Sequence, residues 1–259
     1  MANPPAQYST TIIDSVESLL AFVDCLDSLP TLPPSIYIDL EGVNLGRHGS
    51  ISIISVFLRP KNEIYLIDMF RLGDIAFSTP NIEGTTLRAI LQSPAHPKVF
   101  FDVRNDSDAL FSHYGISLDG FCDLQLMELA TRKGSKDFVA GLSRCIERHS
   151  TASEATKVKW RSVKQAVIRL YDPKQGGQYE IFNERPMKPE IIEYCANDVA
   201  LLPGLYDVYA PKLHMPGQEF WQDRVILETR ERINLSQQPG YDGHAESKVR
   251  GPWSSDDSE

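Results

Sequence analysis

Cysteine is scarce. The four in 259 residues, Cys25, Cys122, Cys145 and Cys195, fall at no paired spacing. That excludes a disulfide scaffold, points to a reducing compartment and, with no Cys/His cluster at ligand spacing, leaves no candidate zinc site. No apolar run is long enough to span a bilayer, so no membrane partner is expected. The opening Met1-Ala-Asn-Pro-Pro5 lacks the basic start of a secretory signal, and an intracellular setting, cytoplasmic or nuclear, is expected. Positive charge is short as well. The 26 Lys and Arg stand against 35 Asp and Glu, a net charge of −9, which argues against a surface that is basic all over. No internal repeat is present.

The charge that exists is unevenly spread. From Arg132 to Lys188 there are 13 Lys or Arg against 6 Asp or Glu, a balance of +7 that leaves −16 for the remainder. Within that window Lys157, Arg161 and Lys164 recur at helical spacing opposite Val163, Ala166, Val167 and Leu170. The pattern predicts an amphipathic helix whose basic face either meets water or lies along a phosphate backbone. Lys174, beside Gly176 and Gly177, and Arg185 are further candidates for contact with nucleic acid, although a Pro-Lys-Gln-Gly-Gly stretch also makes an ordinary turn.

Periodicity predicts one sizeable α/β domain over residues 11–236, preceded by a flexible lead over 1–10 and followed by a disordered polar tail over 237–259. Ile12 to Leu29 reads as an amphipathic helix. Strands are expected at 36–41, 51–57, 63–68, 98–101 and 121–124, with helices at 83–92 and 104–114 and mostly helices from there to about 235. Three early strands on short turns imply an antiparallel meander, and later strands alternating with helices imply parallel pairing. The expected architecture is a mixed five-stranded sheet with helices on both faces.

Chemistry-bearing residues sit at the ends of these elements. Asp39 and Glu41 close the run Ser35-Ile-Tyr-Ile38, and residues two apart on a strand share a face, so both carboxylates project together. Such a pair marks either a metal site or simply the point where a strand meets solvent. Asp106 falls in the first turn of the helix that follows the strand at Lys98-Val-Phe-Phe101, a place where acids also serve as caps or dipole partners. Pro189 opens a later helix at little cost, since its missing amide hydrogen would have no partner there anyway. Tyr194 and Asp198 are four apart on that helix and hence neighbours.

Taken in order, Asp39-Leu-Glu41, Asp106 after Lys98-Val-Phe-Phe-Asp-Val-Arg-Asn, and Tyr194-Cys-Ala-Asn-Asp198 resemble the three motifs of the DEDD superfamily of 3′–5′ exonucleases, in its DEDDy branch. Gly49-Ser-Ile-Ser-Ile-Ile-Ser-Val56, Asp123-Leu-Gln125 and Arg185-Pro186-Met187 are similar to text in ribonuclease D and Egalitarian-like members. The resemblance covers about residues 35–210 and implies a ribonuclease H-like (DnaQ-like) fold. Two departures stand out. The stretch between Gly141-Leu-Ser-Arg-Cys145 and Arg185 is longer than a minimal domain needs, so that 150–184 is open to a role in binding substrate or a partner. Pro203 interrupts the helix after Asp198, bending or restarting it.

The resemblance implies a metal-dependent 3′–5′ exonuclease acting on the 3′ ends of single-stranded nucleic acid, RNA slightly favoured over DNA. A fold-bearing but catalytically silent module that binds RNA or protein is the alternative. Hard oxygen ligands suit Mg²⁺ or Mn²⁺, and two such ions about 4 Å apart serve phosphodiester cleavage. The resemblance assigns Asp39 to both ions, Glu41 and Asp198 to the water-activating one and Asp106 to the second. Tyr194, with an ordinary phenol pKa near about 10, is expected to orient the attacking water and not to act as its base.

Overall fold

The computed structural model describes residues 8–253; expectations for 1–7 and 254–259 fall outside the described residues. Strand β1 (Ser9–Ile13) leads into α1 (Val16–Asp24), β2 (Ile36–Glu41), β3 (Ile53–Leu58) and β4 (Glu63–Asp68). Two short helices, α2 (Met69–Leu72) and α3 (Ile75–Ser78), precede α4 (Leu87–Gln92), β5 (Lys98–Phe100), α5 (Arg104–Tyr114) and β6 (Phe121–Asp123). The rest is helical: α6 (Leu124–Thr131), α7 (Leu142–His149), α8 (Glu154–Tyr171), α9 (Pro189–Ala200), α10 (Leu202–Leu213) and α11 (Glu219–Ser236).

The sheet runs β1-β4-β3-β2-β5-β6. Its centre is the expected antiparallel meander, with Asp39 opposite Ser55 and Glu41 opposite Ile53, while β5 joins β2, and β6 joins β5, in parallel. The sheet has six strands where five were expected. The addition is β1, which lies parallel on the free edge of β4 and replaces the first residues of the helix anticipated from Ile12. The β-branched run Thr10-Thr-Ile-Ile13 favours a strand, and Ser15 starts the helix only afterwards, through a reciprocal capping box with Ser18.

Two apolar layers flank the sheet. One packs α1, α3, α4 and α5 against Ile36, Ile38 and Leu40; the other packs α6 and α8 to α10 against Tyr37, Ile53, Phe57 and Leu66. Pro203 restarts the helix, since α9 ends at Ala200 and α10 carries the proline in its first turn. The segment from 237 corrects the expectation of a disordered tail as far as Trp253. Tyr241 donates to Asn105, Gly251 donates to the Asp137 carbonyl, and Trp253 is buried edge-on to Trp221. A polar composition hid this because one tryptophan and a few backbone bonds dock the segment.

Candidate active site

Side chains alternate along β2, so Asp39 and Glu41 fall on the same face as Tyr37, the face that α9 crosses. Ile191, Cys195 and Val199 anchor α9 in the apolar layer. Tyr194 and Asp198, one turn apart on the same helix, are thereby brought down onto the strand. Carboxylate oxygens of Asp39, Glu41 and Asp198 all lie within 4.8 Å of one another. Behind Glu41 the chain pinches tightly. A Cβ on Gly42 would sit 1.9 Å from the Ser50 carbonyl oxygen, so glycine is required for the strand to leave the site at that angle.

Asp106 lies in the first turn of α5, the helix that follows β5, the strand parallel to β2. The turn from β5 into α5 passes through Asp102 at φ 61°, and the Asp102 and Val103 amides donate to the buried carboxylate of Asp123 at 2.9 and 3.3 Å. Arg232 of α11 pairs with Asp123 at 2.8 Å and is itself buried. Asp123 and Arg232 thus hold the turn that aims Asp106. The sequence flagged Asp123 only as neighbouring text, and an arginine in a largely polar helix gave no signal. Asp106 lies outside the tight group of three, yet is close enough that, after burial, the Asp39 charge is the next cause raising its carboxyl well above the ordinary range.

The cluster is short of positive charge. Burial first, then Asp198, pushes the Asp39 carboxyl up to about 7, and burial, Asp39 and Asp198 hold the Glu41 carboxyl well above its usual range. Burial and then Glu41 push the Tyr194 phenol up as well, and its hydroxyl lies within reach of Glu41 and of Tyr171. Lys164 donates to Asp198 Oδ2 at 2.7 Å. Asp198 Oδ1 is buried without a hydrogen-bond partner among the described residues. An all-oxygen donor set that repels itself, with an orphaned buried oxygen, fits hard divalent cations such as Mg²⁺ or Mn²⁺.

The basic candidates divide. Helix α8 forms as expected, but its inward stripe runs Lys157, Trp160, Lys164, Val167 and Tyr171, while Leu170 and Ala166 face water. The predicted orientation is therefore corrected: the helix covers an acidic cluster, and Lys164 turns inward to meet it. Lys157 is buried and bonded to Glu154, and Arg161 binds Glu147, so neither presents a free charge. Arg185 is corrected as well. It grips the buried Asp68 with two guanidinium nitrogens and donates to the Phe182 and Glu184 carbonyls, an interior anchor in place of a phosphate contact. Lys174 stays exposed on a short 3₁₀ turn. Among the described residues no helix is long and apolar enough to cross a membrane.

Residues 11–214 match the family model described as 3′–5′ exonuclease. The piRNA biogenesis protein EXD1 of Mus musculus is 29% identical over 164 residues, which are 62% of this chain but 26% of that protein. The chain therefore spans about a quarter of that relative's length. Ribonuclease D of Trypanosoma brucei, solved in complex with RNA U12, superposes with a TM-score of 0.70 at 19% identity over 93% of this chain and 74% of the other. Escherichia coli ribonuclease D, described as an exoribonuclease involved in structured RNA processing, gives a TM-score of 0.60 at 18% identity, covering 90% of this chain and 51% of its own.

Proposed function

From the premise that the chain belongs to the 3′–5′ exonuclease family, in its DEDDy branch with a ribonuclease H-like fold, we propose that it is a metal-dependent exonuclease of single-stranded ends, RNA favoured over DNA. The observation that carries this is the meeting of Asp39, Glu41 and Asp198 within 4.8 Å, with Asp106 alongside and the Tyr194 phenol against Glu41. Asp39, Glu41, Asp106 and Asp198 would hold two divalent ions, Mg²⁺ or Mn²⁺. Those ions supply the neutralisation of phosphoryl charge and the acidification of water that phosphodiester hydrolysis needs.

The chain's own residues do the rest. Tyr194 keeps its proton at neutral pH, because burial and the neighbouring carboxylates raise its phenol, so it acts by hydrogen bonding. Its hydroxyl orients the attacking water toward the phosphorus, and Tyr171 steadies that hydroxyl. Asp123 and Arg232 keep Asp106 in place. Lys174 stays exposed and so remains a basic candidate for contact with the substrate backbone. The preference for RNA is supported by the relatives' own descriptions, one solved with RNA and one named for piRNA biogenesis.

The test is release of nucleoside 5′-monophosphates from a 3′-labelled single-stranded RNA with Mn²⁺ present. Asp198→Asn is expected to abolish release while leaving the fold intact by circular dichroism. Release that persists unchanged in EDTA and in the variant would sink the proposal.

A further inference from the structure

We propose that Lys164 is a built-in counter-ion: it occupies the cation's place on Asp198 while the site is metal-free, and metal loading displaces it. The inference rests on the proposed metal site and concerns what guards that site.

Of the three basic candidates on α8, Lys157, Arg161 and Lys164, only Lys164 enters the cluster. Lys157 and Arg161 are taken by Glu154 and Glu147. Lys164 reaches past them, with its side chain 20% exposed, to Asp198, whose side chain is 5% exposed. Its ammonium sits 2.7 Å from Asp198 Oδ2, and lies 5.2 Å and 5.0 Å from the ring centroids of Trp160 and Tyr194.

Such a lysine is a good placeholder and a poor permanent partner. A single ammonium cannot balance four neighbouring carboxylates, and it leaves Asp198 Oδ1 unpartnered. A divalent ion brings twice the charge and takes oxygen ligands from several carboxylates together, so the exchange favours the ion. The ammonium nonetheless opposes it twice, by holding one ligand oxygen and by repelling the incoming charge. The two aromatic faces offer the displaced ammonium a resting place beside the site, where a flexible four-carbon stem can swing it. The long 150–184 stretch thereby has a task of its own: it delivers a cation that keeps buried carboxylates folded until metal arrives.

Mn²⁺ binding is measured by calorimetry without nucleic acid, at one pH and ionic strength, for wild type, Lys164→Met and Lys164→Arg. Lys164→Met is expected to bind Mn²⁺ at least about ten-fold more tightly, while Lys164→Arg, which keeps the charge, stays within about three-fold of wild type. Equal affinity in wild type and Lys164→Met overturns the inference and leaves the metal site standing. No binding in any of the three overturns both. Should Lys164→Met fail to fold, the wild type alone decides: Mn²⁺ should speed reductive methylation of Lys164, read by mass spectrometry, while exposed Lys212 is unaffected. An unchanged or slower rate at Lys164 contradicts the displacement.

Discussion

Replacing Arg185 by alanine separates an interior anchor from a phosphate contact. In the folded protein its Nη2 lies 2.6 Å from Asp68 Oδ1 and its Nε donates to Oδ2, with side chains 10% and 2% exposed. Without the guanidinium, Asp68 keeps the Arg71 amide at 3.1 Å and a loose approach of the Arg71 side chain at 3.8 Å. Breaking a buried pair from one side costs about 3–5 kcal/mol, because the partner is left charged and buried. Arg71 is half exposed, so its rescue is worth at most about 1 kcal/mol, leaving about 2–4 kcal/mol. For a chain of this size each kcal/mol moves Tm by about 2–4 °C, so thermal unfolding should fall by roughly 5–15 °C. Asp68→Ala should cost a similar amount and the double variant less than the sum. RNA affinity of the folded Arg185→Ala protein should keep its salt slope. A Tm within about 2 °C of wild type together with a shallower salt slope would refute the reasoning and restore the phosphate contact.

Three further outcomes are expected. Asp39 has its folded-state carboxyl raised from 3.8 to about 7, so the stability it contributes below the unfolded value is lost as pH rises through about 7. The ionised form is also the one that holds metal, and Mn²⁺ should therefore raise Tm more at about pH 8 than at about pH 5.5 by differential scanning fluorimetry, equal shifts being the contrary result. Trp253→Ala removes a ring that is 2% exposed and packs on Trp221 at 5.3 Å between centroids; urea unfolding should show a loss of about 3 kcal/mol, and a change under about 0.5 would return the segment to a mere tail. Tyr194→Phe should lower kcat by about ten- to a hundred-fold with little change in KM, since it removes an orienting hydroxyl and leaves the ring; an unaltered kcat speaks against that role.

What the sequence disclosed and what it withheld have separate physical origins. Asp39 and Glu41 were legible because strand alternation fixes their common face, and Tyr194 with Asp198 because helical spacing does the same. The meander followed from short turns between β-branched runs. Strand β1 was missed because Ser9–Ile13 pairs with β4 across more than fifty residues, and a five-residue run beside a true helix reads as its first turn. The face of α8 was misjudged for a related reason: pattern analysis counts every lysine as outward, and Lys164 is inward only because acids from β2 and α9 wait there. Arg185 with Asp68 and Arg232 with Asp123 are pairings at 117 and 109 positions' separation that no local pattern encodes.

The most direct measurement is digestion of 5′-labelled single-stranded RNA and DNA of one sequence with Mn²⁺, Mg²⁺ or EDTA, comparing wild type with the double variant Asp39→Asn, Glu41→Gln. A metal-dependent ladder that shortens from the 3′ end, stronger on RNA and absent in the variant, is the predicted result. Intact substrate in every lane, with wild type folded and loaded with metal, would contradict the account and leave a binding module in its place.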